Sequence, residues 1–239
     1  METVTCLHGF SQRGESWREL SSLVAGDLRW LTPDVASTSP DAALAEILGL
    51  WHRERVPRSH LVGYSAGGRL ALLLALGHPE RLLTLTVIGT HAGFEGAVRL
   101  ARLQDDEELA RRIEREGIDW FADHWASLPM FAGLARRRPD LLPSLDAARR
   151  SQDPRRLAAA LRGMGGATGE PLWDRLSSIE LVTLVIVGAD DLPYLEHARR
   201  LADLIPSCRV EAVPDAGHAA HLENPRAVAA LLASHLSRR

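Results

Sequence analysis

His60-Leu61-Val62-Gly63-Tyr64-Ser65-Ala66-Gly67-Gly68-Arg69-Leu70 changes its periodicity partway along. An apolar run of strand character ends at Gly63. A helical pattern, Leu70 to Ala75, starts just after Gly68. Between them Gly63-x-Ser65-x-Gly67 forms a turn. Strand, serine, helix is the order that a nucleophile elbow requires. The turn is so tight that side chains beside the serine would clash, hence the glycines. The hydroxyl then stands at the C-terminal edge of a parallel sheet, with the next helix's N-terminus aimed at it. The pattern alone is weak. Its position and its partners elsewhere in the chain give it weight, and together they point to an enzyme.

Outward from this stretch, strand-like runs are expected at Thr3–Leu7, Leu28–Leu31, Ser59–Gly63, Leu82–Ile88, Val182–Val187 and Cys208–Val213. Helical patterns separate most of them: Trp17–Ala25, Asp41–Arg53, Gly67–Leu76, Tyr194–Leu204 and Pro225–Leu236. This alternation predicts an α/β fold, a mostly parallel sheet with helices on both faces. Residues 93–179 break the rhythm, since a usual crossover is far shorter. The interval is charged and helix-rich, with breaks at Gly117, Pro129, Pro139 and Pro154. It reads as a helical cap inserted between core segments 1–92 and 180–239, over the sheet edge where α/β folds bind ligands.

With 239 residues the chain is long enough for one α/β domain carrying an insertion. A net charge of −3 gives no overall attraction to nucleic acid or to an anionic membrane. All basic residues are arginine or histidine, which by itself decides little. No apolar run is long enough to span a bilayer, and Thr3–Leu7 already reads as a strand rather than a leader. Cytoplasmic location is therefore expected, as a monomer or weak homo-oligomer. Cys6 and Cys208 lie in strand-like runs and read as buried free thiols.

A serine hydroxyl needs a histidine to take its proton and an acid to orient that histidine. Val185-Ile186-Val187-Gly188-Ala189-Asp190-Asp191 is a strand ending in two acids. Val213-Pro214-Asp215-Ala216-Gly217-His218 is a strand followed by a histidine turn. Both leave the sheet edge that carries Ser65, in the order serine, acid, histidine. Asp190 and Asp191 compete for the acid role; the Gly-x-x-Asp spacing usual at this position favours Asp191. His221 is a rival to His218, set a helical step away and read as a supporting residue. An oxyanion hole would use the N–H of Ala66, after the nucleophile, and that of Phe10 in Leu7-His8-Gly9-Phe10. No histidine or cysteine spacing reads as a metal site, and no glycine-rich nucleotide motif is present. Neither a metal nor a cofactor is expected.

With these motifs in place, the chain resembles the α/β-hydrolase superfamily over its full length. Within it, the closer resemblance is to the 2-succinyl-6-hydroxy-2,4-cyclohexadiene-1-carboxylate (SHCHC) synthase family of menaquinone biosynthesis. It rests on Leu7-His8-Gly9-Phe10 with Gly14-Glu15-Ser16-Trp17, and on Tyr64 before Ser65 and Arg69 four after it. It rests also on Trp120–Trp125 with Pro129-Met130-Phe131, Leu157–Gly165, Leu172–Leu176, and Ala216–Pro225 around the histidine.

That resemblance implies elimination of pyruvate rather than hydrolysis, with Ser65 relayed by His218 as the base and the oxyanion hole holding an enolate. The substrate is a small polycarboxylate, so arginine forks are expected in the pocket. By family position these are Arg69, Arg102 and Arg149, with Arg150 as competitor to Arg149; Tyr64 and Trp125 join them as substrate-binding residues. Two departures stand out. Gly89-Thr90-His91-Ala92-Gly93-Phe94 lacks the family's proline, and Leu192-Pro193-Tyr194 replaces its Lys-Phe. The competing expectations are a serine esterase or carbon–carbon hydrolase with Ser65 as nucleophile, and a non-catalytic binding module, which the intact triad disfavours.

Overall fold

The strand and helix signals resolve into one six-stranded sheet. Strands β1 (Glu2–Leu7), β2 (Leu28–Leu31), β3 (Ser59–Tyr64), β4 (Leu82–Ile88), β5 (Thr183–Gly188) and β6 (Cys208–Val213) are all parallel, in the order β2-β1-β3-β4-β5-β6. The structure is a computed structural model and describes residues 1–237. Each strand lies within one residue of the bounds expected from sequence.

Helices α1 (Arg18–Leu23), α2 (Pro40–Arg53) and α3 (Ala66–Gly77) come first. The inserted segment adds α4 (Gly96–Ala126), α5 (Ala132–Arg137), α6 (Leu142–Arg150) and α7 (Pro154–Met164). Helices α8 (Leu192–Leu204), α9 (Ala220–Glu223) and α10 (Pro225–Leu236) follow. Helix α8 starts two residues earlier than expected, because Pro193 sits in its first turn, where a missing N–H costs nothing.

Both faces of the sheet are covered, so β3 and β5 are buried along their whole length and β1 and β4 at all but one residue each. Along β5, Val185 and Val187 enter the core shared with α2, α3 and α8. Leu184 and Ile186 enter the opposite core, with α1 and α10. Successive side chains point to opposite faces, so each strand feeds both cores.

The order reverses between β1 and β3: the chain builds outward to β2, then returns to the other side of β1. A crevice opens at such a switch point beyond the strands' C-terminal ends. Here those ends are Leu7, leading into His8-Gly9-Phe10, and Tyr64, leading into Ser65.

The insertion forms a third, smaller core. Helices α4 and α7 pack through Ala110, Ile113, Phe121, Leu157, Ala158 and Leu161, and α4 kinks at Gly117 (φ 85°). Its neck is tied shut: Leu172 N–H donates to Ala92 O at 2.7 Å, and Trp173 Nε1 donates to Gly93 O at 2.8 Å. Beyond the neck, Trp173, Leu176 and Ile179 pack into the main core with α2 and α3. The stretch expected as cap over 93–179 therefore ends in core residues. Cys6 and Cys208 are free thiols. No helix among the described residues is long and apolar enough to cross a membrane.

Candidate active site

The elbow is built by backbone contact. Ser65 sits at φ 51° and ψ −114°, a strained position for a residue with a side chain. The surroundings hold it there. Ser65 N–H donates to Ile88 O at 2.9 Å, and Thr90 Oγ1 donates to Ser65 O at 2.7 Å. A Cβ at residue 63 would lie 2.3 Å from Gly67 O, and one at residue 67 would lie 2.2 Å from Leu7 O. Glycine at both places is what lets β3, α3 and the loop after β1 meet. Thr90 was not singled out from sequence; only the contact between β3 and β4 brings it to the serine.

Loops after β5 and β6 bring the partners. Ser65 Oγ donates to His218 Nε2 at 3.2 Å, and His218 Nδ1 donates to Asp191 Oδ2 at 2.8 Å. Asp191 and His218 are 6% and 2% exposed, so the pair is screened from water. Asp190 instead faces outward and pairs with Arg137. The geometry thus brings Asp191, of the two neighbouring acids, onto the histidine. A neutral imidazole held this way presents an unprotonated Nε2 to the serine, the arrangement needed to accept a proton.

Ala66 opens α3, so its N–H has no acceptor inside the helix. Phe10 N–H likewise donates to no backbone carbonyl among the described residues. The Phe10 ring turns up into the cap, with ring centres 6.0 Å from Phe121 and 5.2 Å from Trp125. Trp125 also meets Phe131, whose ring stands 6.2 Å from His218. An aromatic lid therefore spans from the Phe10 amide loop to the histidine, and Trp125 is part of it. Tyr64 is buried below, 5.4 Å from His218 by ring centres. Burial, with Tyr194, Asp191 and Glu223 nearby, pushes its hydroxyl well above the usual range, so it remains a donor. Tyr194 approaches His218 to 4.4 Å, a contact with no local sequence signal.

The arginines divide. Arg69, expected as an open carboxylate fork, spends its guanidinium on the cap's return segment. It donates to Gly166 O at 2.6 Å, Thr168 O at 2.7 Å and Glu170 O at 3.3 Å. Of its five N–H donors, those bonds take three. Arg102 pairs with the buried Asp106 at 3.1 Å and is half exposed. Arg150 is held by Asp146, Asp119 and Asp123. Arg149, beside it, is partly buried with its Nε unpaired; it forms no ion pair within 4 Å among the described residues, and Asp146 attracts it only from a distance. Burial lowers its pKa from the ordinary arginine value. Helix α6 ends close to the Phe10 loop: Gln152, two residues past it, donates to Ser11 O at 2.8 Å.

His221 does not join the relay. Its ring lies between Trp17 (4.5 Å) and Tyr64 (4.4 Å), and neither of its nitrogens has a hydrogen-bond partner among the described residues. Burial, with a smaller push from His218, lowers its pKa to about 3; burial and nearby cationic groups lower that of His91 to about 3 as well. Both fold as neutral rings, while the unfolded chain binds a proton on each below about pH 6.5. These groups therefore leave stability unchanged above that pH. Below it, each lowers stability by about 1.4 kcal/mol per pH unit, down toward its folded value. His221→Phe is expected to remove one of the two contributions. Urea unfolding between about pH 6 and 4.5 should then show a slope shallower by about 1.4 kcal/mol per pH unit.

No group of three or more histidine, cysteine or acidic residues among those described could hold a metal ion.

Comparison with known proteins agrees with this architecture. A model of the alpha/beta hydrolase family matches residues 6–231. The chain is 30% identical over 249 aligned residues to a Bacillus subtilis (strain 168) protein provisionally named 2-succinyl-6-hydroxy-2,4-cyclohexadiene-1-carboxylate synthase, covering 99% of this chain and 90% of that one. It is 32% identical over 240 residues to the synthase of that name from Escherichia coli O7:K1, covering 96% and 92%. Among solved structures it superposes on MenH from S. aureus with a TM-score of 0.92 and 25% identity, over 98% of this chain and 93% of that one.

Proposed function

The chain belongs to the alpha/beta hydrolase family, and from that membership we propose that it is an SHCHC synthase of menaquinone biosynthesis. It eliminates pyruvate from 2-succinyl-5-enolpyruvyl-6-hydroxy-3-cyclohexene-1-carboxylate. The likeness to two proteins of that name over 96% or more of the chain supports the substrate assignment.

The chemistry follows from the relay. Ser65 Oγ, its own proton drawn to His218 Nε2, takes the ring proton beside the succinyl ketone, while Asp191 steadies the imidazolium that forms. The electron pair moves onto the ketone oxygen as an enolate, facing the N–H groups of Phe10 and Ala66. Each such donor is worth about 3 kcal/mol where charge develops. Collapse of the enolate breaks the carbon–oxygen bond to the enolpyruvyl group. The group leaves with its oxygen as the enolate of pyruvate, and the proton held by His218 is passed to its methylene carbon to give pyruvate. No water is consumed and no cofactor enters.

The observation that carries this reading is Arg149: a partly buried cation that forms no ion pair within 4 Å among the described residues, in a cap that closes over a complete proton relay. A buried charge left unpaired is costly, and a substrate carboxylate would relieve that cost. Arg102 and the two free N–H donors of Arg69 complete the carboxylate contacts, Tyr64 donates to the substrate, and Trp125 packs on it.

The test is pyruvate release from enzymatically generated substrate, run beside p-nitrophenyl acetate hydrolysis. Wild type is expected to release pyruvate far faster than the spontaneous rate. Arg149→Met should raise KM about tenfold or more, the loss of one charge-assisted contact, and leave ester cleavage unchanged. No release above background, with brisk ester cleavage, would identify a serine hydrolase that uses Ser65 as nucleophile.

A further inference from the structure

Arg137 ends α5, in the cap, yet it reaches both loops that carry the relay. Its NH1 donates to Glu223 Oε2 at 2.7 Å, and its NH2 donates to Asp190 Oδ2. The same Glu223 oxygen accepts the Gly217 N–H at 2.9 Å. Gly217 immediately precedes His218, and Asp190 immediately precedes Asp191. One guanidinium is thus linked to Asp191 through Asp190 alone and to His218 through Glu223 and Gly217. The Glu223 side chain is 0% exposed, and Arg137 is the cation that compensates it. Space for the pair has been left open: a Cβ at Gly133 would lie 2.5 Å from Arg137 NH1 and 2.6 Å from Glu223 Oε2.

The loops need such support. His218 lies between β6 and α9 in irregular backbone that includes Asp215 at φ 52°. Asp191 occupies the turn between β5 and α8. Backbone bonds already join the loops, Asp190 N–H donating to Ala216 O at 2.9 Å, and Asp191 caps α8; the fork adds a side-chain link between them, and a displacement of about 1 Å in a reacting group can cost about a hundredfold in rate. A planar fork that engages two carboxylates at once also fixes their separation, which a lysine cannot do.

We propose that Arg137 and Glu223 form a clamp by which the docked cap positions His218 against Asp191. They are positioning residues, acting through the loops and touching no reacting atom. The proposal rests on the reading of Ser65, His218 and Asp191 as the working relay. It makes the cap part of the relay's scaffold as well as a cover.

The experiment compares wild type, Arg137→Gln, Arg137→Lys and Arg138→Gln. Arg138 is the matched control. It also ties α5 to the core, through Leu222 O of α9 at 2.8 Å and Glu19 Oε2 at 2.9 Å, but it bonds neither Asp190 nor the Glu223 carboxylate that holds Gly217. Two readouts are taken on proteins whose thermal melts show them folded. The first is the downfield proton NMR signal of His218 Nδ1–H in its bond to Asp191, which does not depend on any substrate. The second is kcat and KM for pyruvate release.

Arg137→Gln is expected to broaden or abolish the signal and to lower kcat about 10- to 100-fold, with KM within about threefold. Arg137→Lys, which keeps one charge contact but not both, should be intermediate in each readout. Arg138→Gln should retain the signal and kcat. An unaltered signal and kcat in Arg137→Gln overturns the clamp. So does an equal loss in Arg138→Gln, because any loosening of the cap would then suffice. If Arg137→Gln fails to fold, Arg137→Lys decides by the same criteria. A wild type that shows the signal but releases no pyruvate would remove the proposed reaction while leaving the clamp to be judged by NMR.

Discussion

Asp191→Asn is expected to lower pyruvate release by about 10³- to 10⁴-fold, and Asp190→Asn by no more than a few fold. The two acids are adjacent in sequence, and their environments set them apart. Asp191 is buried and accepts the His218 Nδ1–H at 2.8 Å. The amide that replaces it is nearly isosteric, but its NH2 face would favour a ring with the proton on Nε2. That tautomer presents a donor to Ser65 where an acceptor is needed. Folding should be little affected, so the loss is read in kcat with stability near wild type. Asp190 points outward to Arg137, and its substitution weakens one arm of the cap clamp only. Steady-state kinetics on the two purified variants is the check. Equal losses, or a larger loss in Asp190→Asn, would reverse the assignment.

Gly63→Ala is expected to cost at least about 3 kcal/mol of folding stability, toward the severe end for a single methyl group. Overpacking is mild where the neighbour is a flexible side chain. Here the added carbon would stand 2.3 Å from Gly67 O and 2.7 Å from Gly68 Cα, atoms of the backbone at the start of α3. Relief would require β3 and α3 to separate, and with them the turn that holds Ser65. The comparison variant is Gly77→Ala. A Cβ there meets nothing within 4 Å at the end of α3. Removing a helical glycine in open space is expected to be neutral or to stabilise by about 0.5–1 kcal/mol. Urea denaturation of the two variants should therefore give shifts of opposite sign or very different size. A Gly63→Ala protein as stable as wild type would mean that the elbow is looser than its packing implies.

Much of this molecule was legible along the chain, because the relevant constraints are local. Apolar runs of strand length set between helical periods predict a doubly covered parallel sheet, and every strand lies within a residue of its expected ends. The two elbow glycines could be read because a tight strand-to-helix turn excludes side chains wherever it occurs. Ser65 and His218 were identifiable by their positions after strands that must end on one edge. The partners of individual charged groups were not legible in this way. Asp190 and Asp191 differ by one residue of loop, and only the folded path turns one inward and the other out. Arg149 and Arg150 are neighbours on α6; three acids from α4 and α6 occupy the second and leave the first unpaired. Arg69 lies in the helix that the elbow demands, yet its fork closes on carbonyls about a hundred residues away in sequence. Periodicity and turn sterics are properties of neighbouring residues, so the sequence by itself determined the sheet, the elbow and the order in which Ser65, Asp191 and His218 leave the sheet edge. Pairing of buried charges depends on which side chains the packed cap and core bring within 3 Å of each other, and that the tertiary structure alone decided.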